Sequence, residues 1–76
     1  MDKQKILKSV GNKIKEIRQS KGLSQLDVVG RMEGNIDFTN ISRIESGRTN
    51  PTVFTLFRIA EALEVSPKEL LNFDND

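Results

Sequence analysis

The 76-residue chain has no cysteine and no histidine, and its net charge is only +1. Without cysteine no disulfide can staple so short a domain. Without cysteine or histidine a zinc site of the usual kind is excluded. No apolar run approaches the ~20 residues that span a bilayer. The stretch Met1 to Lys8 is basic, but no apolar segment of useful length follows it, so a signal peptide is not expected and the default compartment is the cytoplasm. There is no phosphate-binding glycine motif and no recognisable frame of catalytic carboxylates, and 76 residues leave little room for a cleft. An enzyme is not expected, nor is a cofactor, a metal or a small-molecule ligand. Internal repeats, low-complexity segments and linkers are also missing, which leaves one domain over residues 1–76. A domain this small buries only about 60% of its unfolded surface, so it needs regular helix packing or a partner subunit for stability.

The near-zero net charge conceals an uneven distribution. Residues 1–22 hold seven basic side chains against Asp2 and Glu16; residues 49–76 hold Arg58 and Lys68 against five acids. A basic front and an acidic tail suit a molecule with one face toward phosphate and another away from it; they also suit an ordinary solvated surface.

Apolar periodicity predicts an all-α chain of five short helices, and strand signals are absent. The first runs from about Lys5 to Lys21, with Leu7, Val10, Ile14 and Ile17 as its stripe and Gly22 as its left-handed stop. The second opens at the Ser24 N-cap, with Leu23 and Val28 as a hydrophobic staple. Val28, Val29 and Met32 are its core residues; Gly34 and Asn35 end it. Gly30 inside it either permits close approach of another backbone or is merely tolerated, at up to ~1 kcal/mol relative to alanine. The third helix opens at Asp37, with Ile36 and Ile41 at staple spacing, Ile41 and Ile44 inward, and Gly47 closing it. Its polar residues leave an outer face free for another purpose, and its neighbours must hold it. The fourth follows the Thr52 cap with Val53, Leu56, Ile59, Ala60 and Leu63 as its stripe and Phe57 beside it. Ser66-Pro67-Lys68-Glu69 reads as a capping box with proline at N1, stapled by Val65 and Leu70, and predicts a fifth helix.

Two short helices joined by a turn, the second with a polar outer face, are what a helix-turn-helix requires. Three stretches carry a family resemblance: Gly22-Leu23-Ser24-Gln25; Asn40-Ile41-Ser42-Arg43-Ile44-Glu45-Ser46-Gly47-Arg48-Thr49-Asn50-Pro51-Thr52; and Leu56 through Ile59-Ala60-Glu61-Ala62-Leu63 to Val65-Ser66. In that order and spacing, over about residues 10–71, the chain resembles the phage repressor and Cro-like (XRE-type) helix-turn-helix regulators. The resemblance implies a compact five-helix lambda-repressor-like domain and sequence-specific binding of double-stranded DNA, with the third helix in the major groove.

Roles follow from the same resemblance. Gln25 matches a position that hydrogen-bonds a phosphate and braces the recognition helix. Phe38, Thr39 and Arg43 match positions that face base edges, Asn40 one that touches phosphate, and Ser42 either. Arg43 has the chemistry for a bidentate contact to guanine. Phe38 has two readings: packing on a thymine methyl, or folding back onto the core. Arg18 and Glu45 match an ion pair between the first and third helices, with Arg18 also near the DNA backbone. Arg48, Thr49 and Asn50 match a loop that lies along phosphate, beside a helix start at Thr52 whose free N–H groups suit an anion. Lys13 and Lys15 have two readings: long-range attraction for DNA, or plain solvation like most lysines of the first helix. The run from Met32 to Ile41 departs from the pattern: it is about two residues longer than the commonest spacing. Glu33 to Asp37 must absorb the excess, and the tilt of the third helix depends on how.

Family operators are pairs of half-sites read by two copies about one helical turn apart. A homodimer on a pseudo-palindromic operator is therefore expected, acting as a repressor or autoregulator. Leu70, Leu71 and Phe73, with Phe54 and Phe57 nearby, are the expected contacts of a symmetric dimer through the fifth helix and part of the fourth; the alternative is that all of them are intramolecular core. The competing reading is a protein-binding module, or an antitoxin-like subunit, on the same fold. It would need exposed apolar residues around the third helix, and only Phe38 qualifies there.

Overall fold

Asp2 opens the first helix in the computed structural model, which describes residues 1–32, 34 and 37–74. Its carboxylate accepts from the N–H groups of Gln4 and Lys5, and α1 runs Lys3–Ser20. The helix begins two residues before the apolar stripe predicted, because a cap at the chain start precedes any periodicity. Gly22 takes the left-handed conformation with φ 70°, as its position after the helix requires.

Helix α2 (Gln25–Arg31) starts at Ser24 as expected, and the cap is a full box. The Ser24 hydroxyl accepts from Asp27 N–H, and the Asp27 carboxylate accepts from Ser24 N–H at 2.8 Å. Those two Ser24 contacts, main chain first, hold the Asp27 carboxyl below its ordinary range, and burial opposes them. A depressed carboxyl contributes stability above its unfolded pKa and loses it as pH falls through the folded value. The helix stops at Arg31 rather than at Gly34; Met32 is already extended yet buried, and Gly34 turns the chain with φ 83°. The predicted roles of Glu33, Asn35 and Ile36 lie outside the described residues.

Helix α3 (Phe38–Glu45) is capped by Asp37, which accepts from Thr39 N–H. Helix α4 (Val53–Leu63) is capped by Thr52, which accepts from Thr55 N–H. It ends on Glu64 in the left-handed region. The predicted fifth helix is instead a 3₁₀ turn at Pro67–Leu71 with no side-chain cap bond. The apolar half of its signal holds, since Leu70 is fully buried and Val65 packs on the core. The polar half does not form: a five-residue segment closes through i→i+3 bonds such as Glu69 N–H to Ser66 O. The described residues thus make four α-helices and a closing turn.

The core joins Val10 and Ile14 of α1, Val28 of α2, Ile41 and Ile44 of α3, and Ile59, Ala60, Ala62 and Leu63 of α4, with Met32 and Leu70. Most of the predicted stripe residues are there. Val53 is not: it is 71% exposed, on the first turn of α4. Ile6 packs on the core more fully than the stripe predicted, beside a half-buried Leu7. Helix α3 packs on both α1 and α2, while α4 packs on α2 and the closing turn. Arg31 ties α2 to the end of α4, donating to the Ala62 carbonyl at 3.2 Å beside Glu64.

Gly30 is a tolerated residue rather than a packing device, because a Cβ there meets no heavy atom within 4 Å. Gly30→Ala is therefore expected to stabilise by up to ~1 kcal/mol, raising Tm by roughly 4–8 °C. Thermal unfolding followed by circular dichroism checks this, and a lower Tm would show that α2 needs the glycine.

Candidate nucleic-acid interface

Helix α3 is too short and polar to hold itself. It is fixed by its apolar side and by one ionic frame. Ile41 and Ile44 seat it in the core. Arg18 of α1 and Glu45 of α3 form a bidentate pair, with Nε to Oε2 at 2.7 Å and Nη2 to Oε1 at 3.0 Å. The remaining nitrogen, Nη1, donates to the Leu23 carbonyl at 2.8 Å, just before the Ser24 cap. Gln25 adds a third element: its Nε2 donates to Glu45 Oε1 at 2.9 Å. One carboxylate thereby ties α1, the start of α2 and the end of α3 together. Arg18 is only 8% exposed and Glu45 5%. The pairing is the one the resemblance implied. It commits Arg18 to bracing, with little surface left for phosphate.

The other side of α3 is open. Thr39 and Arg43 lie one turn apart and are exposed, with Asn40 and Ser42 half-buried on either flank. None of these four side chains is hydrogen-bonded or ion-paired to another described residue. Phe38 is 43% exposed at the first position of α3, which excludes the reading in which it folds back onto the core. In the loop, Arg48 and Asn50 are exposed and Thr49 is half-buried. The Arg48 main-chain N–H is spent on the Arg43 carbonyl at 2.9 Å, which narrows the loop's free main-chain donors.

The residues expected at a dimer contact fall into two groups. Leu70 is fully buried and Phe73 packs on the core, so both serve the monomer. Phe54 and Leu71 are exposed, and so are Val53 and Phe57 of α4. A groove of about 270 Å³ runs between α4 and the closing turn, lined by Val53, Leu56, Phe57, Pro67, Lys68 and Leu71. Val53, which was not expected on this surface, occupies a stripe position that periodicity assigns to the core.

Gly11 is a structural residue that periodicity does not reveal. It is buried where α1 crosses α3, and a Cβ there would meet the Ile44 carbonyl oxygen and stand 2.8 Å from the Glu45 carbonyl carbon. Its only signal in the sequence is a glycine beside Val10 in an otherwise good helix. Among the described residues no helix is long and apolar enough to cross a membrane, and no group of three or more metal-ligating side chains occurs.

Comparison with known proteins agrees with this architecture. The helix-turn-helix family profile matches residues 14–70. An HTH-type transcriptional regulator of Sinorhizobium fredii is 42% identical over 64 residues, spanning 84% of this chain and 80% of that protein. The control protein C.BamHI of Bacillus amyloliquefaciens is 36% identical over 63 residues, spanning 83% of this chain and 76% of its own. Among solved structures, the restriction-modification controller protein C.AhdI from Aeromonas hydrophila superposes with a TM-score of 0.79 at 30% identity, over 84% of this chain and 94% of its own. Another controller protein, solved as a tetramer in complex with its natural 35 base-pair operator, gives 0.73 at 37% identity, over 88% and 96%. With a braced second helix, an open third helix and a profile match across three quarters of its length, this chain belongs to the helix-turn-helix family.

Proposed function

We propose that this chain is a cytoplasmic transcriptional regulator, a repressor or autoregulator, that binds a pseudo-palindromic operator as a homodimer and reads the major groove with α3. The observation that carries the reading is the contrast between the two sides of α3. One side is locked by Arg18, Glu45 and Gln25; the other presents polar side chains that have no hydrogen-bond or ion-pair partner among the described residues. A rigid helix with free donors and acceptors suits base-edge recognition, where pre-positioned groups give discrimination.

Arg43 is assigned a bidentate contact to guanine O6 and N7, and Thr39 a base contact through its hydroxyl or methyl. Phe38 packs on a thymine methyl. Asn40, Ser42, Arg48, Thr49 and Asn50 meet the sugar-phosphate backbone, and Gln25 adds a phosphate contact to its bracing bond. Arg18 acts through Glu45. The exposed Val53, Phe54, Phe57 and Leu71 supply the two-fold contact of the dimer, since an apolar surface of this kind is uncommon on a lone small domain. The placement of that surface on α4 and the closing turn, away from α3, favours this arrangement over a protein-docking module.

The test is selection from a random duplex library, followed by titration of the best site beside Arg43→Ala. A two-fold symmetric site should emerge, with affinity falling steeply as salt rises. The variant should lose about 1–3 kcal/mol of discrimination at one base pair of each half-site, or about 5- to 150-fold. No enriched site, with weak binding that the variant leaves unchanged, would replace this reading with the protein-binding module.

A further inference from the structure

Helix α1 lies along α3 through a single line of residues. Gln4 donates from Nε2 to the Gly47 carbonyl at 2.8 Å. The Lys8 main chain runs so close to Gly47 that a Cβ there would stand 3.0 Å from the Lys8 Cα. Gly11 backs onto Ile44 and Glu45, and Arg18 pairs with Glu45 at 2.7 Å. Gln4, Gly11 and Arg18 recur every seven residues, which keeps one helical face in contact from end to end, with Lys8 at its edge.

Helical residues advance by about 100° each, so Lys8 and Lys15 stand about 50° from that line, on the flank opposite Val10 and Ile14. Both are exposed. Farther round on the same flank come Gln19, Asn12, Lys5 and Glu16, the last 3.5 Å from Lys13. The other nearby lysines are placed differently. Lys13 lies 3.5 Å from Glu16, and Lys3 falls on the side of Val10. The carboxylate nearest this seam, Glu45, is already neutralised by Arg18. An edge of α1 bordering the C-terminal half of α3 and the Gly47 loop is therefore cationic, and among the described residues neither Lys8 nor Lys15 is in an ion pair.

We infer that Lys8 and Lys15 contact the phosphate backbone bordering the groove that α3 enters, forming a second, sequence-independent strip that lengthens the DNA footprint along α1. This rests on the function proposed above. The strip extends to Lys8, outside the 14–70 segment that defines the family match. A lysine there serves as a mobile point charge, which suits phosphate and carries no base information.

The experiment measures binding to the operator duplex selected above by fluorescence anisotropy across a salt series. Wild type is compared with Lys8→Gln/Lys15→Gln and with Lys3→Gln/Lys13→Gln, which removes the same charge elsewhere on α1. The first pair should reduce the slope of log K against log salt by about 0.9 for each phosphate that the wild-type lysines neutralise. Its sequence preference should be unchanged. The second pair should keep the wild-type slope. Equal reductions in both pairs, or none in the first, would overturn the strip. If the Lys8 change impairs folding through its packing against Gly47, Lys15→Gln alone carries the test, with a reduction of about 0.9 expected for its one phosphate. Failure of wild type to enrich any site would instead overturn the DNA-binding reading on which the strip depends.

Discussion

Glu45→Gln is expected to cost about 3–5 kcal/mol of folding stability, the range for removing one partner from a buried ion pair. The substitution changes almost no volume, so the loss is electrostatic. Glu45 accepts from Arg18 Nε, Arg18 Nη2 and Gln25 Nε2. A glutamine in its place turns one oxygen into a donor that faces a guanidinium, and leaves the Arg18 charge buried without an anion. Domains have only about 5–15 kcal/mol in total, and a small one sits at the low end. Each kcal/mol lost lowers Tm by roughly 4–8 °C at this size, so the variant should be partly unfolded at ordinary temperature. Urea denaturation gives the number. A loss below about 1 kcal/mol would mean the pair behaves as a solvated surface contact. Arg18→Met/Glu45→Met should recover most of the stability, because the lone buried charge is gone. It should recover less of the DNA affinity, because the bond from Gln25 and the fork that orients α3 are not restored.

Gly11→Ala is expected to destabilise, against its own helix propensity. Alanine favours a helix interior by about 0.8–1.0 kcal/mol over glycine. Here the added methyl meets the Ile44 carbonyl oxygen and the main chain of Glu45, which cannot swing aside as a side-chain tip would. Overpacking of that kind costs about 1–3 kcal/mol, so the net effect is a loss. Gly11→Val, with two more methyl groups, should be worse and should push α3 away from α1. The readouts are Tm and affinity for the selected operator, the latter falling further than stability alone accounts for. The same glycine-to-alanine change at Gly30, with open space around it, should go the other way. If both variants are stabilised, the helices are not held at the separation seen here.

Those two glycines mark the boundary between local and tertiary information. Both interrupt helices, and nothing in the neighbouring residues tells them apart. One is a contact point and the other is spare, and only the crossing of α1 over α3 distinguishes them. The same holds for apolar residues. Val53 and Leu70 both read as core from spacing, yet Val53 is on the surface and Leu70 is fully enclosed. Periodicity reports which face of a helix is apolar; it does not report where the neighbouring element ends. Val53 occupies the first turn of α4, beyond the reach of the layer that covers Ile59 and Leu63.

Local chemistry by itself determined the helical class, the caps at Ser24, Asp37 and Thr52, and the left-handed stop at Gly22, because each depends on residues within one turn. The order of motifs was enough to pair Arg18 with Glu45, since that spacing recurs in the family the chain resembles. Tertiary structure decided the rest. It made the fifth helix a 3₁₀ turn in which Leu70 is buried and the Ser66 side chain makes no cap bond. It kept Phe38 out of the core, turned Arg18 inward, and divided the apolar tail between core and surface. Each of these outcomes is set by contact between segments far apart in the chain, and burial energy there exceeds the few tenths to one kcal/mol that local preferences supply.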